Sequence, residues 1–470
     1  MKIVLDTSTG VSLTEQIAGQ FEAMIHSRQV QVGEKLPSIR QLAGTHRISR
    51  FPIVEAYDLL VSKGLIEPKH GSGFYVTRRA DIHDHWMRGA DPCVARMESG
   101  NILRQFSAAG DAPPLSSGFI PEGWRDVKGI AQAVRQVSRT DTASLVDYAV
   151  PQGDATLREQ ISRRLRPLEI ETPPQHILIT HSASQALDLI ARTMLRPGDT
   201  VFVEDPGYFN LFGLLKLQGI RLVGIPRICT GPDVSAMEDL LKVHQPKLFF
   251  VNTVFQNPTA TNIAPQVAFR LLQLAQLHDF SIVEDDVYAD LQAVPSQRLA
   301  ALDQLNRVIY VGGFSKTLSS SLRLGYIAAH PDLVRNLLEV KVLTSMGGTR
   351  FAERVVATLL ERGIYRKHME KLQHRVNDAL MAAVEQLHRL GWEVYERPCG
   401  GMFVWARVPG IEDSSVLVAQ AQKFGITISP GANYRPNNEP SPWLRFNAAY
   451  VRDNQTMLFL ASVSGLTPAN

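Results

Sequence analysis

A lysine in a turn rich in glycine and serine is the feature that most constrains this chain. Lys316 lies within residues 311–325, VGGFSKTLSSSLRLG, and Arg323 follows it by seven residues. A lysine amine can form a Schiff base with an aldehyde, and an arginine guanidinium binds phosphate through paired hydrogen bonds. The pattern therefore predicts a site for an aldehyde cofactor that carries a phosphate. Taken alone, it would also fit a surface lysine between a strand and a helix.

Polar side chains that could bind such a cofactor lie upstream. Asp285 follows the apolar residues 280–283, which predict the end of a buried parallel strand. A carboxylate there can keep the nitrogen of a pyridine ring protonated, so that the ring accepts electrons. Tyr288 and Asn257 are placed to bind a ring hydroxyl, since Pro258 holds the preceding asparagine extended. An acidic turn and an Asn-Pro turn without a ligand are the alternatives.

Two further strand ends are suited to the phosphate and to the face of the ring. Residues 176–190 predict a strand and then an amphipathic helix, whose start falls at Ser182, Ala183 and Ser184. Free backbone N–H groups and the helix dipole favour a phosphate there, and an ordinary serine cap is the alternative. Tyr208 follows another predicted strand, where its ring could stack on the cofactor or fill the core.

These segments occur in a single order at predicted strand-to-helix junctions, and residues 115–465 closely resemble the fold-type I aminotransferases. The motifs that carry the resemblance are Tyr148-Ala-Val-Pro-Gln-Gly153 with Leu157-Arg158, Ser182-Ala-Ser184, Asp205-Pro-Gly-Tyr208, Asn257-Pro-Thr259, Asp285-x-x-Tyr288, Ser315-Lys316, Arg323-Leu-Gly325, Gly400-Gly-Met-Phe-Val-Trp405 and Trp443-Leu-Arg-Phe446. The resemblance implies that the cofactor is pyridoxal 5'-phosphate.

The resemblance also implies a role for each residue of the site. The implied set is Lys316 as the catalytic, Schiff-base lysine, Asp285 for the pyridine nitrogen, Asn257 and Tyr288 for the ring hydroxyl, Tyr208 for the ring face, and Arg323 with Ser182, Ala183 and Ser184 for the phosphate. Family members often have a hydroxyl residue three positions before the lysine, where this chain has Gly313. That phosphate contact is therefore either lacking or supplied by Ser315 or Ser319.

Two more residues acquire roles through the resemblance alone. Tyr148 would reach a phosphate bound in the neighbouring subunit, which implies a homodimer. Arg445 would bind the carboxylate of an amino acid, which implies a small amino-acid or amine ligand beside the cofactor.

Residues 11–77 match no part of an aminotransferase and predict a different unit. Leu13, Ile17, Phe21 and Ile25 recur at helical spacing after Ser12, which predicts a helix of about four turns. Ser38 is expected to cap a second helix.

A turn near residues 44–47 then leads to a third predicted helix capped by Ser49, with Pro52 in its first turn. The residues of this helix expected to face the core are Val54, Tyr57 and Leu60 or Val61. Two short strands follow, within residues 65–68 and 71–76, around a turn at residues 69–71.

This order of elements predicts a winged helix-turn-helix, and the segment closely resembles the GntR-type DNA-binding domain. The hallmarks are Leu36-Pro-Ser-x-Arg40, Leu42-Ala43, Ser49-Arg50 and the wing Gly71-x-Gly-x-x-Val76. The residues expected to contact double-stranded promoter DNA are Arg40, Arg50, Ser38, Ser49, Arg47, Lys69 and His70. A solvated surface charge is the alternative for each cation, and it is the weaker one for Arg40 and Arg50. Phe51 and Pro52 stand where small polar residues usually begin the recognition helix.

Charge supports this assignment only weakly. Residues 1–80 contain 10 Lys and Arg against 7 Asp and Glu, a net charge of +3 that equals the charge of the whole chain. The other 390 residues are therefore balanced, and only the front of the chain carries the excess that phosphates attract.

Bulk properties exclude several classes of protein. A chain of 470 residues with 44% hydrophobic residues can bury two or three domain cores. No apolar run approaches the roughly 18 residues of a membrane span, and residues 1–6 lack a secretory hydrophobic segment. Cys93, Cys229 and Cys399 lie far apart, which argues against disulfides and against a metal site. We expect a cytoplasmic protein without a metal.

The sequence therefore predicts three segments. Residues 1–78 form a winged helix-turn-helix, residues 79–114 form a linker with a short helix around 92–106, and residues 115–465 form the aminotransferase-like domain. Alternating strand and helix patterns predict an α/β fold, with a mostly parallel sheet covered on both faces and a smaller α+β subdomain from about residue 364.

The two resemblances together are the layout of the MocR subfamily of bacterial regulators. The resemblance implies a transcriptional regulator whose large domain binds pyridoxal phosphate and senses an amino acid, an amine or the cofactor itself. An active aminotransferase with an accessory DNA-binding domain is the alternative, because the catalytic set is complete. The sequence leaves open whether transaminase activity remains.

Overall fold

The computed structural model describes residues 3, 5, 12–27, 29–69, 71–77, 114–293 and 295–465. The chain divides into two compact units, residues 1–96 and 97–470. His70, the helix predicted around residues 92–106 and almost all of the predicted linker lie outside the described residues.

The described part of the first unit contains three helices and a hairpin. Its elements are α1 (Leu13–His26), α2 (Ile39–His46), α3 (Phe51–Ser62), β1 (Ile66–Lys69) and β2 (Gly73–Val76). β1 and β2 are antiparallel, with Ile66 opposite Val76. Ser12 and Glu15 form a reciprocal capping box at the start of α1, and the Ser38 hydroxyl accepts a hydrogen bond from the Gln41 N–H at the start of α2. This is the predicted winged helix-turn-helix.

Three details of the prediction for this unit are wrong. α2 continues to His46, so the chain reverses only at Arg47, whose φ of 52° is left-handed. α3 begins at Phe51 with Arg50 as its N-cap and no side-chain cap, so Ser49 does not cap it. Val54 is 39% exposed, because the buried face of α3 runs through Ile53, Ala56, Tyr57 and Leu60 and Val54 lies about 100° round the helix from Ile53.

Tyr57 is the central side chain of this small core. Its ring is fully buried and packs edge-to-face against Phe21 at 5.9 Å and Phe74 at 5.0 Å between centroids. Its hydroxyl donates to the Pro37 carbonyl at 2.6 Å, in the turn before α2. One residue therefore joins α1, α3, β2 and the start of α2.

Tyr57→Ala should destabilise the first unit by about 3–5 kcal/mol, because it leaves a cavity in a core with few other large side chains. Amide hydrogen exchange in the full-length protein would measure this as faster exchange in α1 and α3. Val54→Ala is the matched control on the same helix, with an expected effect within about 0.5 kcal/mol. Equal exchange in the two variants would contradict the prediction.

The second unit is built on an eight-stranded sheet with the order β3-β10-β9-β8-β7-β4-β5-β6. Its strands are β3 (Ile177–Thr180), β4 (Thr200–Asp205), β5 (Arg221–Ile228), β6 (Gly231–Pro232), β7 (Leu248–Val251), β8 (Ser281–Asp285), β9 (Val308–Gly313) and β10 (Gly325–Ala328). Neighbours from β9 to β5 are parallel, whereas β10 is antiparallel to both β3 and β9. The sheet is mostly parallel, as predicted.

Alternate strand residues enter two separate cores, so both faces of the sheet are covered. Phe202 and Phe249 belong to one core, and their neighbours Val201, Val203 and Phe250 belong to the other. The helices of this α/β body are α4 (Val127–Thr140), α5 (Ala155–Leu165), α6 (Ala183–Met194), α7 (Phe209–Leu217), α8 (Val234–Leu241), α9 (Pro265–Leu277), α10 (Leu299–Asp303), α11 (Pro331–Ser345) and α12 (Arg350–Glu361).

A smaller subdomain follows from Ile364. It contains α13 (Ile364–Arg389), β11 (Glu393–Val394), β12 (Phe403–Arg407), α14 (Val418–Lys423), β13 (Leu444–Asn447) and α15 (Asn454–Val463). Its three-stranded sheet has the order β11-β12-β13, with Arg445 opposite Trp405. No helix within the described ranges is both long and apolar enough to cross a membrane.

The parallel strands determine where a ligand can bind. β4, β7, β8 and β9 run in one direction, so their carboxyl ends and the loops that follow meet at a single edge. In open α/β sheets ligands bind outside this edge. Tyr208, Asn257 and Lys316 lie in segments that follow β4, β7 and β9, and Asp285 is the last residue of β8.

Candidate functional site

A cavity of about 390 Å³ lies at this edge and brings most of the predicted site together. The predicted residues that line it are Ser182, Ala183, Ser184, Tyr208, Asn257, Asp285, Tyr288, Ser315, Lys316, Arg323 and Arg445. Tyr148 does not line it, because that side chain is 85% exposed on the surface of the unit. We call this the Lys316 cavity.

Burial and nearby positive charges disfavour protonation of the Lys316 amine. Burial lowers the pKa of Lys316 to about 8, the positive charges of Arg445, Arg323 and Arg125 act in the same direction, and Asp285 opposes them. Nζ donates to the Gly118 carbonyl at 2.9 Å and lies 4.5 Å from the centre of the Phe119 ring. A lysine with this pKa is partly neutral near physiological pH, as a nucleophile or a base must be.

Asp285 has one buried carboxylate oxygen, Oδ1, without a hydrogen-bond partner within the described part of the chain. Burial raises its pKa to about 7, the adjacent Asp286 acts in the same direction, and Lys316 opposes them. A buried polar atom without a hydrogen bond is costly, so the free Oδ1 is suited to a cationic ligand group such as a protonated ring nitrogen.

The start of α6 has features that suit an anion. Ser182 is its N-cap and accepts from the Gln185 N–H. A Cβ on Gly325 would lie 2.5 Å from the Ala183 nitrogen, so glycine is required for β10 to approach this turn. The Arg323 backbone is left-handed, with φ 50°, and its guanidinium forms no ion pair among the described residues. A helix start beside an unpaired arginine favours phosphate.

Of the two serines proposed to replace the hydroxyl missing at Gly313, only Ser315 lines the Lys316 cavity. Its Oγ is buried and has no hydrogen-bond partner within the described ranges. The Ser319 Oγ instead accepts from the Ser321 and Leu322 N–H groups, and Ser319 lines a neighbouring cavity.

Arg445 is a buried guanidinium without a carboxylate. It is 4% exposed and donates to neutral oxygens only, Asn257 Oδ1 at 2.7 Å and the Ser116 carbonyl at 2.5 Å. Its Nε has no partner among the described residues, and the Phe403 ring lies 4.2 Å from its Cζ. A buried cation held in this way can bind a ligand carboxylate through two hydrogen bonds.

The segment that contacts both cations was not predicted from the sequence. Residues 114–120, which we call the strap, provide the Gly118 and Ser116 carbonyls that bind Lys316 and Arg445. Asn447 fixes the strap, because its side chain donates to the Ser117 and Phe119 carbonyls at 2.8 Å each. Backbone acceptors have no residue signature, so only the small residues of Ser116-Ser-Gly118 could have pointed to the strap.

The predicted DNA-contacting residues lie on the surface of the first unit. Arg40, Arg47 and Arg50 are exposed, and none of them forms an ion pair in the ranges that the structure describes. Lys69 lies 3.7 Å from Glu67 and 4.8 Å from the centre of the Tyr75 ring. Ser49 is exposed, whereas the Ser38 hydroxyl is already used as the α2 cap. His70 is outside the described residues.

Comparisons with known proteins match both units. Residues 113–463 match the family described as aminotransferase class I and II, and residues 13–76 match the gntR family of bacterial regulatory proteins. The chain is 27% identical to the HTH-type transcriptional regulator YisV of Bacillus subtilis, over 95% of this chain and 94% of that one. It is 26% identical to the probable rhizopine catabolism regulatory protein MocR of Rhizobium meliloti, over 91% and 88%.

A solved structure from Thermus thermophilus gives the same fold. It is the α-aminoadipate aminotransferase LysN complexed with N-(5'-phosphopyridoxyl)-L-leucine, with a TM-score of 0.74 and 25% identity. It covers 81% of this chain, which in turn covers 98% of it.

These matches define the class of protein. The large unit belongs to the aminotransferase class I and II family, a pyridoxal phosphate-binding fold. Joined to a GntR-type helix-turn-helix, it makes the chain a member of the MocR-like GntR subfamily of DNA-binding regulators.

In cofactor-free protein, the lowered pKa of Lys316 should make its amine react with cyanate at a rate that rises to half its maximum near pH 8. The sign follows because only the neutral amine reacts, and a pKa of about 8 makes it neutral above that pH. Mass spectrometry of the labelled peptide would give the rate. Lys242 is the control, because Asp239 raises its pKa and its rate should still be climbing at pH 10. Parallel curves for the two lysines would refute the prediction.

Proposed function

We propose that this protein is a pyridoxal phosphate-dependent transcriptional regulator whose large unit binds a small amino acid or amine and thereby alters DNA binding. The observation that carries the proposal is the buried, carboxylate-free Arg445 in the cavity that also holds Lys316. The proposed division is a DNA-binding domain at residues 1–78, a linker at 79–114 and an effector-binding domain at 115–465. Promoter DNA as the target implies the cytoplasm.

The cofactor fits the unsatisfied groups of the cavity. Lys316 would hold its aldehyde carbon, Asp285 its ring nitrogen, and Arg323, Ser315 and the α6 turn its phosphate. Asn257 and Tyr288 are assigned to the ring hydroxyl and Tyr208 to the ring face. When bound, pyridoxal phosphate supplies an electron-withdrawing ring beside the amine of a ligand.

The residues of the chain would then select and orient the ligand. Arg445 would bind its carboxylate with the Nη groups and the unpartnered Nε. Lys316 Nζ, with its pKa near 8, can accept or return a proton near neutral pH. The Phe119 ring beside Nζ would keep water away.

We infer that the strap couples the ligand to the rest of the chain. A ligand carboxylate on Arg445 and a cofactor on Lys316 compete with the Ser116 and Gly118 carbonyls that now bind these cations. Occupancy would therefore weaken the hold on residues 114–120, which follow the proposed linker in sequence. A ligand changes an equilibrium only through such differential contacts.

A homodimer is the assembly in which this coupling would reach DNA. Tyr148 is exposed together with Val146 and Val150, an apolar surface that favours a partner. We propose that Tyr148 reaches the phosphate site of the neighbouring subunit. Two subunits would present two helix-turn-helix units to two half-sites.

An active aminotransferase remains the second candidate function. Lys316 and Asp285 line one cavity, as transamination requires, and the structure of LysN shares the fold. The helix-turn-helix favours the regulator, because three of its exposed arginines have no protein partner in the described residues and no role in transamination.

Arg40→Ala and Arg50→Ala should weaken DNA binding and leave bound cofactor unchanged. Each removed phosphate contact should reduce the slope of log K against log salt by about one unit. Fluorescence anisotropy at several salt concentrations, with a duplex from the upstream region of the gene and an unrelated duplex, would measure both quantities. Lys63→Ala is the control, since Lys63 already pairs with Glu22 at 2.6 Å. Unchanged affinity and slope in both arginine variants would contradict the proposal that the helix-turn-helix binds DNA through these arginines.

Arg445→Ala should keep the cofactor but lose the response to an amino-acid effector, by about 2–5 kcal/mol of binding free energy. The bare cofactor has no carboxylate for Arg445, so its visible absorbance should remain. Titration with a panel of L-amino acids, following cofactor absorbance and DNA affinity together, tests this.

Two further variants separate the outcomes of that titration. The exposed Arg452 provides the control Arg452→Ala, and Lys316→Ala should lose the borohydride-reducible adduct. A cofactor-loaded Arg445→Ala protein that responds as the parent does would favour the cofactor itself as the effector.

A further inference from the structure

A second cavity of about 510 Å³ adjoins the Lys316 cavity. The two share Pro114, Ser117 and Phe119 of the strap. Leu318 and Ser320, two and four residues after Lys316, form another part of its wall. Phe119 also lies against Lys316 Nζ, so one aromatic side chain borders both the amine and the second cavity. We call this the Arg125 cavity.

Arg125 is the only cation among the described residues that line this cavity. It is half-buried and donates to neutral oxygens only, the Ser320 hydroxyl at 3.2 Å and the Ile120 carbonyl at 3.0 Å. Glu122 lies at the rim but makes no ion pair with it, and no other acid within the described ranges does. The guanidinium is thus held by neutral groups, with no anion to neutralise it.

One of the three arginines near Lys316 has no anion assigned to it under the proposed function. Arg445, Arg323 and Arg125 all depress the pKa of Lys316. Under the proposed function Arg323 takes the cofactor phosphate and Arg445 takes the ligand carboxylate, so Arg125 still lacks an anion. The other walls of its cavity include Ile120, Val127 and Ile130, which suit methylene groups.

We propose that the Arg125 cavity receives the side chain of the effector and that Arg125 binds an acidic group at its end. The effector would then be an amino acid with a carboxylate in its side chain, held at Arg445 by one carboxylate and at Arg125 by the other. Phe119 must turn aside for the side chain to pass. This assignment rests on the proposed amino-acid sensing and specifies its ligand class.

The test compares amino acids that differ only in the side-chain charge. Full-length, cofactor-loaded protein is titrated with L-glutamate against L-glutamine and with L-aspartate against L-asparagine, following cofactor absorbance and DNA affinity. The parent should prefer the acidic member of at least one pair by about tenfold or more. Arg125→Gln should reduce that preference to about twofold or less without weakening the neutral amino acid, and Arg125→Lys should restore part of it.

Arg135→Gln is the matched control, because Arg135 is an exposed arginine on α4 that lines neither cavity, and it should keep the preference of the parent. Equal binding of acidic and neutral amino acids by the parent, or an unchanged preference in Arg125→Gln, would overturn the assignment while leaving amino-acid sensing intact. If no amino acid changes the absorbance or the DNA affinity, amino-acid sensing and this inference fail together.

Discussion

The residues that line the Lys316 cavity carry more positive than negative charge, and the proposed function depends on this imbalance. Lys316, Arg323 and Arg445 line it, and Asp285 is its one lining carboxylate in the described chain. Burial partly neutralises both signs, because it lowers the pKa of Lys316 to about 8 and raises that of Asp285 to about 7. The two arginines cannot lose their protons. This excess of positive charge supports the proposed ligands, a phosphate and a carboxylate.

The alternation of side chains at the end of β8 places a single carboxylate, Asp285, in the Lys316 cavity. Glu284, Asp285 and Asp286 are consecutive, yet only Asp285 lines the cavity. Glu284 accepts from the Leu299 and Ala300 N–H groups at the start of α10, and Asp286 pairs with Arg298 at 2.7 Å and accepts from the Tyr310 hydroxyl. Side chains on a strand point to alternate faces, so Glu284 and Asp286 bond within the protein on one face, while Asp285 faces the cavity on the other.

The sequence could predict side chains with distinctive chemistry at strand ends, but not residues that act through their backbone carbonyls. Lys316, Asp285, Asn257 and Arg445 line one cavity, as their motifs indicated. The strap was missed because any residue offers the carbonyls of Ser116 and Gly118. Ser49 was misplaced as a cap because helix starts are set within one or two residues by packing, and the buried row from Ile53 to Leu60 fixes that of α3.

The free energy of the strap contacts also limits how strongly a bound ligand could affect the rest of the chain. Its two contacts with cations are charge-assisted hydrogen bonds, each worth about 1.5–3 kcal/mol. Asn447 holds the same segment through two neutral bonds from its side chain, which no ligand carboxylate would displace. Loss of the Lys316 and Arg445 contacts alone would therefore weaken the attachment of the strap, while the two Asn447 hydrogen bonds would remain. Together the two contacts are worth about 3–6 kcal/mol, so only part of their loss is needed for the 1–3 kcal/mol, or about 5- to 150-fold, that is typical of coupling between two sites. Under the proposed function, the Asn447 contacts would keep the strap attached while the contacts with the two cations are lost, so the change would be reversible.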